Sequence, residues 1–162
     1  MPKAAELDPD DGEGLYFLGQ LQVRAGASPA AKRSFERLIA QGDRVPDENR
    51  HWAYFLLGDV EAQLGNLDAA LAHYKRGQAL VLALAARDPD NAGWQRDLAL
   101  SFGRVAQVLA RQDNLDEAQS GFGTGRTIVA RLQAQSPDNA TLPKDLAWFD
   151  SQLAQLGRSA AE

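Results

Sequence analysis

Apolar residues recur along this chain at the three- to four-residue spacing of helices that bury one face. Alternating runs of β-branched residues, which are typical of strands, are absent. The pattern predicts seven helices, at residues 12–25, 29–40, 48–64, 67–87, 91–111, 115–135 and 143–157. Because the turns inside helix pairs are only two to four residues long, consecutive helices must run antiparallel.

Residues that start or stop helices support these limits. Ser28 followed by Pro29 predicts an N-cap with proline in the first helical position, where its missing N–H costs nothing. Gly65 predicts the end of the third helix. The fourth and sixth helices are predicted to stop before Pro89 and Pro137.

A block of the chain also repeats itself at a fixed distance. The segment Asp-Pro-Asp-Asn-Ala at 88–92 returns 48 residues later as Ser-Pro-Asp-Asn-Ala at 136–140. Likewise, Asn-Leu-Asp-Ala-Ala at 66–70 returns as Asn-Leu-Asp-Glu-Ala at 114–118. A fixed period of this size indicates stacked helix pairs, and such stacks usually act as binding surfaces.

Small and aromatic residues recur at matched places in three successive units. The second unit has Tyr54, Leu57, Gly58, Gly65, Ala70, Tyr74 and Gly77. The first has Leu15, Leu18, Gly19, Gly26, Ala31, Phe35 and Leu38. The third, which fits less closely, has Phe102, Val105, Ala106, Asp113, Ala118, Phe122 and Gly125. This pattern resembles the tetratricopeptide repeat family.

The resemblance implies an all-α, right-handed α-solenoid of three antiparallel helix pairs plus a C-terminal capping helix. It forms one domain over 1–162, with units at about 12–45, 48–90 and 91–138 and a capping helix at about 140–158. The 48-residue period exceeds the usual 34, and such long repeats resemble modules of large bacterial multidomain proteins. Residues 4–10 read like the end of a helix. Two interpretations stay open: a fragment of a longer protein, or a natural start.

Composition and charge narrow the possible partners. The net charge of −5 and the lack of a basic stripe argue against nucleic acid. No apolar run is long enough to predict membrane insertion; the best, at 79–86, has eight residues. The chain has no cysteine, which fits a cytoplasmic location and leaves the periplasm open.

Candidate chemistry is sparse. His51 and His73 are the only histidines and are predicted to lie on different helices, too few for a metal site. The glycine-rich run at 121–125 lacks a preceding strand and falls inside a predicted helix. No nucleophile–base set is present, so neither enzymatic activity nor a cofactor is expected. Trp94 is predicted to pack on the preceding helix, with a ligand-facing role as the alternative.

The resemblance also implies a binding surface on the inner face of the first helix of each unit. The candidate partner-binding residues on that face are Tyr16, Gln20, Arg24, Trp52, Phe55, Asp59, Gln63, Gln107 and Arg111. The face is aromatic in its first half, at Tyr16, Trp52 and Phe55. The alternative is that these three rings are buried in the core. The Lys and Asn set with which some family members hold a C-terminal carboxylate is missing.

These observations predict a non-enzymatic scaffold that binds a peptide or partner protein in the concave groove. The alternative is a structural or regulatory segment of a larger bacterial signalling protein. In that case, stacking or self-association through an open N-terminal end would dominate.

Overall fold

The computed structural model describes residues 11–161, and over that range the chain is helical with no strand. Its elements are α1 (Gly12–Arg24), α2 (Ser28–Ala40), a 3₁₀ turn (Gly42–Arg44), α3 (Asp47–Gln63), α4 (Leu67–Arg87), α5 (Ala92–Arg111), α6 (Leu115–Gln135) and α7 (Leu142–Ser159). The predicted all-α class is confirmed. Helices α4 and α6 have the predicted limits, and the others differ by at most two residues at either end. The 3₁₀ turn was not predicted.

The chain divides into two compact units, 1–80 and 81–162, with the boundary inside α4. The first unit contains α1, α2, α3 and most of α4, and the second contains the end of α4 together with α5, α6 and α7. The helix end read from residues 4–10 lies outside the described residues.

Three turns that join the two helices of a pair share one backbone geometry. Gly26, Gly65 and Asp113 have φ of 72°, 83° and 66°. The residue after each donates its N–H to the carbonyl five positions earlier, at 2.8, 2.9 and 2.9 Å. This is a Schellman closure, which a left-handed residue makes possible. The third turn adopts it with aspartate in the place of glycine.

The helix starts are capped in different ways. Asp11 accepts hydrogen bonds from the N–H groups of Glu13 and Gly14 at 3.3 and 3.0 Å. Asn91 accepts one from the Trp94 N–H at 3.1 Å. The predicted Ser28 cap is wrong: Ser28 is the first helical residue, and the cap position before it has no side-chain hydrogen bond. Only the carbonyl of Ala27 serves this helix start.

In the first unit, close helix crossings depend on glycine. A Cβ added to Gly19 would lie 2.5 Å from the Phe35 ring, and one added to Gly58 would lie 2.5 Å from the Tyr74 ring. The two glycines therefore lie where the second helix of each pair crosses closely, and Tyr74 packs within its own helix pair. The core of this unit comprises Leu15, Ala31, Phe35, Leu38, Val45, Ala53, Leu57 and Val60.

In the second unit α5, α6 and α7 each bury one side in a shared core. Its buried apolar residues include Leu98, Ala99, Val105, Ala106, Val108, Leu109, Ala118, Phe122, Val129, Leu132, Leu142 and Phe149. The side chain of Arg96 bonds both carboxylate oxygens of Asp145 on α7 at 2.6 and 3.1 Å. The other side of α7 is exposed at Gln155 and Arg158. This distribution fits the capping role expected for the last helix.

The two long helix pairs share a glycine at equivalent places, 48 residues apart. A Cβ on Gly77 would lie 3.1 Å from the His51 carbonyl oxygen, and one on Gly125 would lie 2.8 Å from the Ala99 carbonyl oxygen. His51 and Ala99 are also 48 positions apart. Gly77 and Gly125 therefore make equivalent close contacts with the backbone of the first helix of their pairs.

The aromatic ring over that glycine comes from different places in the two pairs. Over Gly77 the nearest ring is Phe55, in the first helix of the same pair, at 2.7 Å from an added Cβ. Over Gly125 it is Phe149, from the following helix α7, at 2.5 Å. The residue equivalent to Phe55 in α5 is Gly103, and Trp148 of α7 fills the space beside it.

Candidate functional site

The candidate residues on α1 become more exposed towards the end of the helix. Tyr16 is half-buried and packs against the core of the first unit, and burial raises the pKa of its hydroxyl. Gln20 is also half-buried, and Arg24 at the end of the helix is exposed. An aromatic ring with one free edge next to an amide and a guanidinium can bind a peptide by stacking and hydrogen bonding.

On α3 the candidate residues continue this mixture of aromatic and polar groups. Trp52 is half-buried, and its ring centroid lies 5.0 Å from that of His51. Asp59 is half-buried and accepts a hydrogen bond from the Tyr74 hydroxyl at 2.5 Å, which fixes the orientation of the carboxylate. Gln63 is exposed one turn further on. Asp59 is therefore a preoriented acceptor at the surface of the first unit.

Phe55 does not belong to this surface. Its side chain is 1% exposed, and its ring packs against Gly77 and meets the rings of His51 and Tyr74 at centroid distances of 5.6 and 6.5 Å. The Phe55 side chain faces α4, where Gly77 leaves room for a phenyl ring. The assignment of Phe55 as an accessible partner-binding residue is corrected: it is a core residue.

In the second unit the candidate residues Gln107 and Arg111 are both exposed on α5. They lie one helical turn apart, so their side chains project from the same face of that helix. Trp148 of α7, by contrast, packs on Gly103 and meets the rings of Phe122 and Phe149. Both candidate residues on α5 are therefore exposed polar side chains.

The histidines and the glycine-rich run that the sequence analysis considered lie in helices and pack against neighbouring residues. The described residues contain no group of three or more potential metal ligands. His51 is fully buried, with Nδ1 3.2 Å from the Asp47 carbonyl oxygen, and His73 stacks on Tyr54. The glycine-rich run at 121–125 lies inside α6, as predicted.

A buried polar cluster in the first unit was missed by the sequence reasoning. Glu61 is 2% exposed and receives Lys32 Nζ at 2.7 Å and Asn66 Nδ2 at 2.7 Å. Burial alone would raise the pKa of Glu61, but these hydrogen bonds outweigh it and lower the pKa. The cluster joins α2, α3 and the turn before α4. A charge in the predicted buried stripe of α3 was the available signal.

Within the described residues, no helix is both long and apolar enough to cross a membrane. The chain matches no family model and no curated protein. Its fold is nevertheless similar to solved helical-repeat chaperones.

Three of these similar structures span most of this chain. The Yersinia enterocolitica type III secretion translocator chaperone SycD has 20% identity and a TM-score of 0.66, and the match covers 98% of this chain and 91% of that one. SycD in complex with a peptide of the translocator YopD has 20% identity and a TM-score of 0.63, covering 91% and 93%. PcrH of Pseudomonas aeruginosa, in complex with the chaperone binding region of PopB, has 25% identity and a TM-score of 0.59, covering 91% and 98%. These likenesses show that the chain has the helical-repeat fold of tetratricopeptide-like chaperones.

Proposed function

We propose that this chain is a non-enzymatic scaffold that binds a peptide segment of a partner protein on the first helices of its pairs. We further propose that it is a tetratricopeptide array with 48-residue repeats. The equivalent packing of Gly77 and Gly125 supports the repeat length. The likeness to two chaperones solved with bound partner segments supports the peptide as ligand.

One observation carries the proposal. Tyr16 and Gln20 on α1, and Trp52 and Asp59 on α3, remain partly accessible although both helices contribute to the core. Aromatic side chains that are anchored in a core lose little conformational freedom on binding, and such anchors dominate interface energies. The oriented Asp59 carboxylate can accept a backbone N–H or a cationic side chain of an extended peptide.

A peptide display experiment tests the proposal without knowledge of the natural partner. Peptides are selected from a random library on the wild-type chain, and their affinities are measured by calorimetry. Trp52→Ala and Tyr16→Ala are each expected to weaken binding about 30-fold, which corresponds to the loss of one aromatic anchor. Arg33→Ala, at an exposed position of α2, is the matched control and should bind like the wild type.

Circular dichroism and urea denaturation of each variant separate binding from folding. Selected peptides that bind Trp52→Ala and Tyr16→Ala as tightly as the wild type would show that this surface is not the binding site. A loss of binding that merely follows a loss of helical signal would count against the proposal in the same way.

A further inference from the structure

An exposed apolar patch lies on α1, on a different side of the helix from Tyr16 and Gln20. Phe17, Leu18 and Leu21 are 54%, 45% and 61% exposed. Together with Gly14 they line a shallow depression of about 350 Å³. The three side chains leave on the order of 300 Å² of apolar surface in water, a patch of the size that is often functional on a monomer.

The repeat indicates what kind of element fits this patch. Leu18 occupies the place in the first helix pair, α1 and α2, that Leu57 occupies in the second pair, α3 and α4. Leu57 is 1% exposed and lies in a core cluster with Phe35 and Leu38 of the preceding helix α2. The face that is exposed around Leu18 is thus covered by a helix at the equivalent place in the second pair, so the patch is suited to packing against a helix.

The charges beside the patch are arranged for a second copy of α1. Glu13 and Arg24 are eleven positions apart, so at 100° per residue they lie within about 20° of each other around the helix. They flank the same edge of the patch, one near each end of α1. An antiparallel copy related by a twofold axis near residue 18 places each Glu13 opposite the Arg24 of the other copy.

The apolar residues obey the same symmetry. In that arrangement Leu18 lies beside the twofold axis, and Leu21 of each copy lies nearest to Phe17 of the other. A twofold interface needs a self-complementary surface, and this stripe is self-complementary in both charge and size.

We propose that α1 pairs with α1 of a second copy, antiparallel and related by a twofold axis, to form a homodimer. The patch would bury about 600 Å² from the two copies, less than the 1,200 Å² or more of stable interfaces. The dimer is therefore weak and reversible, with a Kd of roughly 10 µM to 1 mM. This interface shares Arg24 with the candidate partner-binding residues but does not use Tyr16 or Trp52, so the Leu21→Glu and Trp52→Ala tests can fail independently.

Sedimentation equilibrium from about 10 µM to 1 mM, the range of the expected Kd, tests the pairing. The wild type should dimerise within it, and Leu21→Glu should weaken association at least about 10-fold by burying a charge. Leu82→Glu, at an equally exposed leucine of α4, is the matched control and should dimerise like the wild type. A wild type that stays monomeric over this whole range overturns the proposal.

Charge exchange tests the orientation. Glu13→Arg and Arg24→Glu should each weaken self-association by roughly 3- to 10-fold. A mixture of the two single variants should recover association as a heterodimer, since every pair across the twofold axis is again opposite in sign. Failure of the mixture to recover would refute the antiparallel arrangement.

Disulfide trapping gives an independent measure, because the chain has no cysteine. Leu18→Cys lies beside the axis and should form a cross-linked dimer on mild oxidation. Arg24→Cys lies six residues from the axis, so in an antiparallel pair the two thiols are separated by about 18 Å along the helices and should not cross-link. Efficient cross-linking of Arg24→Cys would indicate parallel helices and overturn the proposal.

Discussion

Phe55→Ala is expected to destabilise the first unit strongly. The ring is 1% exposed and lies between α3 and α4, where it covers the backbone at Gly77 and meets His51 and Tyr74 edge-on or tilted. Truncation removes a buried ring and leaves a cavity against a glycine that has no side chain to collapse into it. Changes of this kind cost about 3–5 kcal/mol. Trp52→Ala, at a half-buried neighbouring ring, should cost clearly less.

A double-mutant cycle with Gly77 makes the argument sharper. Alone, Gly77→Ala should cost about 1–3 kcal/mol, because its Cβ would lie 2.7 Å from the Phe55 ring. In the Phe55→Ala background that clash is gone, and the new methyl group partly fills the cavity. The two losses should therefore fall short of additivity by about 1 kcal/mol or more. The His51 carbonyl oxygen, 3.1 Å from the same Cβ, limits the recovery.

Urea denaturation followed by circular dichroism at 222 nm measures all four proteins of this cycle. The slope of each transition is determined separately, because a changed slope would indicate a change in the unfolding mechanism. A Phe55→Ala protein within about 1 kcal/mol of the wild type would refute the reasoning, because a ring buried in this way cannot be lost so cheaply. Strict additivity with Gly77→Ala would show that the two residues do not pack together.

Further predictions concern α6 and the polar cluster. Gly123→Ala should stabilise the fold by about 0.5–1 kcal/mol, because nothing lies within 4 Å of the added Cβ. Gly125→Ala should destabilise it by about 1–3 kcal/mol, because the added Cβ would lie 2.5 Å from the Phe149 ring. The melting temperature should therefore rise in the first variant and fall in the second. Burial lowers the pKa of His73 below its ordinary 6.5 despite the nearby Glu61, so the folded chain binds this proton less readily than the unfolded chain, and stability should fall as the pH drops below about 6.5. The pKa of Glu61 is also lowered, from 4.5, so its contribution is present above that value and is lost at lower pH. Urea midpoints from pH 7 to 3.5 should show both steps, and His73→Gln should remove only the upper one.

The helix limits could be predicted because they depend on local residues. Gly65 and Pro89 stand near the two ends of α4, and each acts through its own backbone. The 3₁₀ turn was missed because its left-handed residue, Gly42 with φ of 59°, falls in a segment without helical period. Ser28 was misassigned because a helix can begin one residue earlier and use only a carbonyl at the cap.

The candidate site was harder to predict because α3 packs against both α2 and α4. In α3 the helical period places the rings of His51, Trp52 and Phe55 close together. Only the packing decides which of them faces α4 and which remains half-exposed. Gly77 could have predicted the burial of Phe55, because a glycine in the middle of a helix leaves space for a large side chain of the helix packed against it.

The different origin of the ring over each close glycine restricts how these repeats can be rearranged by duplication or deletion. Deleting one 48-residue period so that α3 is followed directly by α6 and α7 would bring Phe55 and Phe149 to the same glycine, Gly125. Joining α5 to a copy of α4 and α5 would bring no ring to Gly77, since the equivalent positions are Gly103 and Ser101. The deletion would therefore place two rings over one glycine, and the duplication would leave a cavity over Gly77. The packing at these two glycines therefore fits the present order of the blocks and neither rearrangement.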